Sequence, residues 1–213
     1  MPIEYTKPQS GPPVSLSKVT LTKNAPVVSL TKQATTGLLR VNLNWTTGKP
    51  GLFRQSRSID LDLGCLYEFT DGTKGVVQAL GNSFTASPRG VRDRVIRLDG
   101  DDRSGSNSAG ENLFVDLSYA NQIKRILVFA FIYEGVANWA AADGVVTLFP
   151  VAGPQIEVRL DDARHGSRTC GIAMLESNGA ELSVRREVQY VQGPQSQLDR
   201  LYGWGLTWQP GRK

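Results

Sequence analysis

The chain has 213 residues, of which 40% are hydrophobic and 21% charged, and its formal net charge is +4. This composition is typical of a globular protein and is not that of a disordered or membrane protein. The longest apolar run, residues 126–133, has a strand's length, whereas a membrane helix needs roughly 20 residues. The N-terminus lacks the basic and apolar regions of a secretory signal, so we expect a cytoplasmic location.

The N-terminal region divides into a tail and a set of short strands. Residues 1–13 contain four prolines and little apolar content, which predicts a flexible tail ahead of a single domain spanning residues 14–213. A short internal echo follows, in which Val and Leu alternate with hydroxyl side chains. It occurs at residues 14–18, 19–23 and 28–32, and its two-residue period predicts half-buried strands.

Strand patterns continue along the chain, and helical periodicity is almost absent. Further strands are predicted at residues 38–45, 59–69, 75–80, 95–98, 112–117, 123–133, 144–149, 155–160, 170–176 and 180–190. Asp71-Gly72 and Asn178-Gly179 are dipeptides typical of hairpin turns. A short helix is predicted at residues 196–202, with Ser196 as its cap. These elements predict an all-β fold, a two-sheet antiparallel β-sandwich with one or two short helices.

Acidic residues gather in two places that point to a hard cation. In an extended strand Asp60 and Asp62 share one face, while the apolar residues between and beside them take the other. Residues 100–112 combine glycines and hydroxyls with Asp101, Asp102 and Glu111. Such a segment can direct many oxygens at one point, and Ca²⁺ accepts about six to eight of them. Calcium is therefore the first hypothesis for these five carboxylates.

One other interpretation of the acidic residues stays open, and an EF-hand is a worse fit. Asp, Asn, Ser and Gly are also typical of a solvated loop, and a strand exposed on one side commonly carries Asp on its wet face. An EF-hand starting at Asp99 fits poorly, because Arg103 replaces an oxygen ligand, Ser104 the sharp-turn glycine and Gly110 the bidentate Glu.

Partner contacts are predicted at a basic segment and at an aromatic residue. Arg92 and Arg94 lie in an arginine-rich stretch interrupted by Asp93, which favours a solvated mixed-charge loop. No nucleic-acid motif accompanies them, so we expect no specific nucleic-acid partner. Trp139 follows a strand and is predicted to sit in an exposed loop. Trp204 and Trp208 are instead predicted to pack on one face of a last strand.

The remaining reactive side chains predict no enzyme. Cys65 and Cys170 lie in apolar runs, which favours buried, reduced thiols over a disulfide or a zinc site. His165 is the single histidine, and neither a nucleophile elbow nor a phosphate-binding loop accompanies it. A hydrolase that uses the acidic residues as a metal centre remains an alternative.

Several of these segments together resemble the tellurium-resistance TerD-like proteins. The resemblance rests on the N-terminal echo, the Asp60-Leu61-Asp62 strand, the acidic stretch that begins at Gly100 and the strand at residues 126–134. Residues 63–68, 133–139 and 202–206 look more like the TerA branch of that family. The resemblance covers roughly residues 14–208. It implies a β-sandwich that binds Ca²⁺ at acidic loops and acts in bacterial stress responses to tellurite, phage and colicins.

Residue by residue, the resemblance carries over only in part. Asp60 and Asp62 match the family's Asp-Leu-Asp strand, and the three carboxylates of the acidic stretch match its loop. Better-known members have carboxylates at three further positions, which here hold Ser58, Ser108 and Gly110. Fewer fixed negative charges weaken the attraction for a divalent ion.

The resemblance implies a non-enzymatic protein whose calcium-ordered loops meet partner proteins. Those partners would be other stress-response proteins, bound in the cytoplasm or at the inner membrane surface. The first alternative function is a calcium-dependent membrane-surface module, in which the ion would bridge carboxylates to lipid phosphates and the basic segment would add attraction. The second is the metal-dependent hydrolase.

Overall fold

The computed structural model describes residues 18–30, 37–46, 59–99, 110–135, 137–162, 166–177 and 182–209. Within these ranges thirteen strands form two sheets that face each other, which confirms the predicted all-β sandwich. The strands are β1 (Lys18–Thr20), β2 (Val27–Ser29), β3 (Leu38–Asn44), β4 (Asp60–Phe69), β5 (Lys74–Val77), β6 (Thr85–Ala86), β7 (Ile96–Leu98), β8 (Glu111–Asp116), β9 (Ile123–Glu134), β10 (Gly144–Phe149), β11 (Gln155–Leu160), β12 (Thr169–Ser177) and β13 (Leu182–Val191). The two short α-helices are α1 (Trp139–Ala142) and α2 (Ser196–Tyr202). Neither is long and apolar enough to cross a membrane.

The strands divide seven to six between the sheets. The seven-stranded sheet has the order β1-β11-β10-β3-β8-β7-β6, and the six-stranded sheet has the order β2-β13-β12-β9-β4-β5. Neighbouring strands are antiparallel, except that β1 runs parallel to β11. This one departure from the predicted antiparallel sheets arises at an edge, where β1 joins a strand far away in sequence and no hairpin fixes its direction.

The N-terminal echo contributes one strand to each sheet. Its second copy overlaps β1 and its third overlaps β2, while most of its first copy lies outside the described residues. Leu21 and Leu30 are almost fully buried just beyond these two strands. The segment therefore connects an edge of the seven-stranded sheet with an edge of the six-stranded sheet.

The main hydrophobic core lies between the sheets, as the alternation of the strands predicts. Leu39, Val41 and Leu43 of β3 face Leu61 and Leu63 of β4 across it, and all five are fully buried. A second, smaller core covers the outer face of the six-stranded sheet. It is formed by Leu66, Leu127, Phe129, Phe131, Met174, Leu198 and Trp204.

The C-terminal segment provides much of that outer cover. Helix α2 has the predicted bounds, but its cap position is Gln195 rather than Ser196. The predicted last strand is wrong, since residues 203–209 have no strand structure although Trp204 is buried. The Asp71-Gly72 hairpin is confirmed, with Gly72 at φ +82° between β4 and β5. Asn178-Gly179 lies outside the described residues.

Candidate functional site

Asp60 and Asp62 lie at the start of β4, on the side that faces away from the main core. Leu61 and Leu63 point between the sheets, so Asp62 shares the outer face of the six-stranded sheet with Phe131, its partner residue on β9. The side chain of Asp62 is only 1% exposed, and Asp60 is half-buried. Burying a carboxylate is unfavourable unless polar or cationic groups compensate it. Asp62 is therefore not an aspartate on the solvent-exposed face of a strand, which was the alternative interpretation.

Glu111 reaches this part of β4 from the other sheet. It is the first residue of β8 and is 3% exposed. Its Oε2 accepts a hydrogen bond from the backbone N–H of Leu63 at 2.6 Å. The registered pairs of β4 with β5 begin only at Cys65, so Leu63 lies beyond the end of that neighbour. The carboxylate thereby joins the two sheets, through the residue that follows Asp62 in β4.

Gly110 fixes the path by which the acidic stretch enters β8. Its φ is +66°, and a Cβ placed on it would lie 2.2 Å from the carbonyl oxygen of Leu43. Next to it, the side-chain amide of Asn42 donates to the Glu111 carbonyl oxygen at 3.3 Å and to Asn112 Oδ1 at 3.0 Å. The backbone at this point therefore excludes every side chain larger than hydrogen.

Of the five predicted ligands the structure describes three, Asp60, Asp62 and Glu111, and it does not bring these three together as a metal site. Asp101 and Asp102 lie outside the described residues. Within the described ranges, no three His, Cys, Asp or Glu side chains are close enough together to hold a metal ion. Asp60, Asp62 and Glu111 offer oxygen atoms alone, which is the donor set of a hard cation such as Ca²⁺. A complete site would need further oxygens from residues 100–109.

The predicted partner residues lie elsewhere. The prediction of an exposed Trp139 is wrong, because this residue begins α1, is fully buried and donates its indole N–H to the carbonyl oxygen of Ser167 at 2.8 Å. Its ring also packs against Tyr190, with centroids 5.6 Å apart. An aromatic side chain in a short connection can turn inward when a backbone acceptor lies beneath it.

Arg92 and Arg94 are exposed, but they lie far from the acidic residues. They precede β7, which runs antiparallel to β8, and the N–H of Asp116 at the far end of β8 donates to the carbonyl oxygen of Val95. The length of β8, about 17 Å, therefore separates the basic segment from Glu111. The two features occupy opposite ends of the sandwich.

Both cysteines are buried and free, as the sequence predicts. Burial raises the pKa of the Cys65 thiol to about 12, although a backbone hydrogen bond at Val77 works against this shift. Burial likewise raises the pKa of Cys170 well above its usual value. Since the thiolate is the nucleophilic form, neither residue suits covalent catalysis. His165 lies outside the described residues.

Asp199 is a buried carboxylate that sequence patterns do not reveal. It is 4% exposed and accepts from the N–H groups of Gly205 at 2.6 Å and Leu206 at 3.0 Å, and from the indole of Trp208 at 2.5 Å. Within the helical pattern of residues 196–202 it looks like an ordinary solvated position. The glycine-rich aromatic stretch that follows is the one signal in the sequence that could indicate its role.

Comparison with known proteins adds a family to this architecture. No family model matches the chain. The chain is 42% identical over 206 residues to the tellurium resistance protein TerA of Alcaligenes sp, an alignment that covers 94% of this chain and 60% of TerA. The chain therefore spans less than two thirds of the length of that relative.

Two solved structures share the fold. A homologue of the telluride resistance protein TerD from Streptomyces coelicolor A3(2) superposes with a TM-score of 0.57 at 17% identity, covering 76% of this chain and 95% of its own. A protein of unknown function, SAV2460, superposes with a TM-score of 0.57 at 16% identity, covering 79% and 98%. The architecture is thus that of a TerD-like β-sandwich. The chain is thus similar in sequence to TerA and in fold to a TerD homologue, which confirms the resemblance to the TerD-like proteins.

Proposed function

We propose that this chain is a calcium-binding, non-enzymatic protein of the cytoplasmic stress response, in which the ion orders an acidic loop that contacts partner proteins. The observation that carries the proposal is the burial of two carboxylates, Asp62 near the start of β4 and Glu111 at the start of β8, with Glu111 bound to the backbone N–H of Leu63, the residue after Asp62. Asp60, Asp62 and residues 101 and 102 would hold the ion, and Glu111 would fix the loop's point of entry. The ion would supply the positive charge that lets several carboxylates converge.

Two cavities formed by the described residues lack the side chains of an enzyme active site. One of about 290 Å³ is lined by apolar groups with Arg168 and Thr169, and its described lining contains no carboxylate, histidine or cysteine. A second, of about 610 Å³, contains the carboxylate of Asp199, which already accepts three hydrogen bonds from the C-terminal segment. Neither arrangement supplies a base beside a nucleophile.

The membrane-surface alternative has less support than partner binding. Such a module requires basic or apolar tips beside the ion, so that both contact the same lipid surface. Here Arg92 and Arg94 lie at the opposite end of the sandwich from Glu111.

Thermal unfolding with and without calcium tests the proposal. Calcium that binds only the folded chain stabilises it by about 2.7 kcal/mol at 100 times the dissociation constant. For a domain of this size the melting temperature should rise by roughly 5–10 °C relative to chelator-treated protein. An unchanged melting curve in excess calcium would rule out a specific site.

Matched charge-removing variants locate the ion. Asp60→Asn and Glu111→Gln keep side-chain shape and hydrogen-bond acceptors but remove one negative charge each. Both should reduce the calcium-induced rise in melting temperature. Glu176→Gln is the control, because Glu176 lies at the other end of the same sheet and is exposed. Equal calcium responses in all three variants would place the ion elsewhere.

A further inference from the structure

A row of alternating aromatic and cationic side chains crosses the outer face of the seven-stranded sheet. The strand register places Phe149 of β10 beside Arg40 of β3, Arg40 beside Phe114 of β8, and Phe114 beside Arg97 of β7. The guanidinium carbon of Arg40 lies 3.9 Å from the ring centroid of Phe149, and that of Arg97 lies 4.0 Å from the ring centroid of Phe114. We call these four residues the Arg–Phe ladder.

The ladder points away from the protein interior. Its immediate neighbours along the strands, such as Leu39, Val41 and Leu148, belong to the core between the sheets, so the four ladder side chains take the opposite face. All four are half-buried. In the part of the chain that the structure describes, helix α2 and the aromatic C-terminal segment cover the other sheet instead.

The two arginines of the ladder carry positive charges that are not neutralised by an ion pair with any residue that the structure describes. Among the described residues, no carboxylate forms an ion pair with either ladder arginine. Arg40 donates to the side-chain oxygen of Asn112 at 3.2 Å, which leaves its charge uncompensated. The segment that leads into β7 and Arg97 carries the exposed Arg89, Arg92 and Arg94 together with Asp93. By contrast, Glu157 on the same sheet is paired with Lys18 and Arg159.

We propose that the Arg–Phe ladder binds single-stranded nucleic acid. Adjacent strands repeat at about 4.8 Å, so the ladder presents a planar group on each of four neighbouring strands. Unpaired bases stack on aromatic rings and on guanidinium planes, and the in-plane N–H groups of arginine donate to phosphates. Binding by stacking does not select a sequence, which agrees with the missing nucleic-acid motif. An acidic peptide would use the charges but not the rings.

Fluorescence anisotropy of a labelled oligothymidylate of about 15 nucleotides tests the ladder. The experiment uses the full chain in chelator, so that its outcome does not depend on calcium. Replacing both rings in Phe114→Leu/Phe149→Leu keeps apolar cover on the sheet but removes the stacking surface. We expect affinity to fall about tenfold or more. Arg40→Lys/Arg97→Lys keeps the charge, loses the planar fork and should also weaken binding. Thermal unfolding of each variant checks that it is folded.

The charge-matched control is Arg185→Lys/Arg200→Lys on the other sheet and on α2, which should bind like the parent chain. A duplex of the same length should bind more weakly than the single strand. The proposal is overturned if the parent does not bind, if the Phe variant binds like the parent, or if dextran sulfate competes as well as oligothymidylate at equal charge. Equal competition by polyglutamate would instead identify the face as a docking site for an acidic protein.

Discussion

At the scale of single residues, Gly110 shows how local backbone geometry decides what the acidic stretch can contain. From sequence it is an ordinary glycine of the acidic stretch. In the structure it has φ +66°, and the carbonyl oxygen of Leu43 occupies the space of a Cβ. A carboxylate would not fit this backbone, so any cation would depend on the remaining acidic residues.

Gly110→Ala should therefore destabilise the fold by about 2–3 kcal/mol, because it adds both a positive-φ penalty and a contact with backbone that cannot move aside. Gly72→Ala is the control, since Gly72 also has positive φ, but a Cβ placed on it would have no neighbouring atom within 4 Å. It should cost about 1 kcal/mol. Urea unfolding of both variants measures the difference, and equal losses would show that the Leu43 contact relaxes freely.

Alternation along a strand predicts which face a residue takes but not how deeply it is buried. The alternation predicts that Asp62 lies opposite its apolar neighbours, and it does. Its near-complete burial depends on what covers the outer face of the sheet, which comes from distant parts of the chain. Trp139 illustrates the same limit, because its partners Ser167 and Tyr190 are not neighbours in sequence.

At the scale of elements, the C-terminal segment after α2 is held in place by contacts with side chains and not by pairing with a strand. The bounds of α2 follow from its sequence pattern, but the aromatic stretch after it does not pair with a strand. Asp199 binds two of its backbone N–H groups, and Arg125 stacks on Trp204 with its guanidinium carbon 3.8 Å from the ring centroid. Lys74 donates to the Trp204 carbonyl oxygen. Sequence spacing alone does not show such contacts.

Asp199→Ala removes three hydrogen bonds to a buried charged acceptor and should destabilise the chain by about 2–4 kcal/mol. The C-terminal segment should detach first, so native tryptophan emission should shift to the red and residues after α2 should become sensitive to protease. Asp71→Ala is the comparison, since Asp71 also accepts from two backbone N–H groups but is exposed on a hairpin. It should cost less and leave tryptophan emission unchanged. An unaltered emission spectrum in Asp199→Ala would contradict this account.

At the scale of the whole molecule, the two-sheet sandwich follows from period-two alternation and hairpin turns, whereas the joining of its edges does not. The two described copies of the N-terminal echo are alike in sequence, yet one pairs with β11 and the other with β13 in the opposite sheet. The strand with which each copy pairs depends on which edge of which sheet is still unpaired. The Arg–Phe ladder has the same origin, because its four members come from four separate strands and meet only through register.

The most direct test of the central claim is a calorimetric titration of calcium into chelator-stripped protein. We predict a saturable heat of binding at calcium concentrations up to about 1 mM, a weaker response to magnesium, and a clear loss of affinity in Asp60→Asn. The sandwich should remain folded throughout, since its core does not include the ion. Heats no larger than dilution across this range, in protein whose fold is intact, would contradict the account.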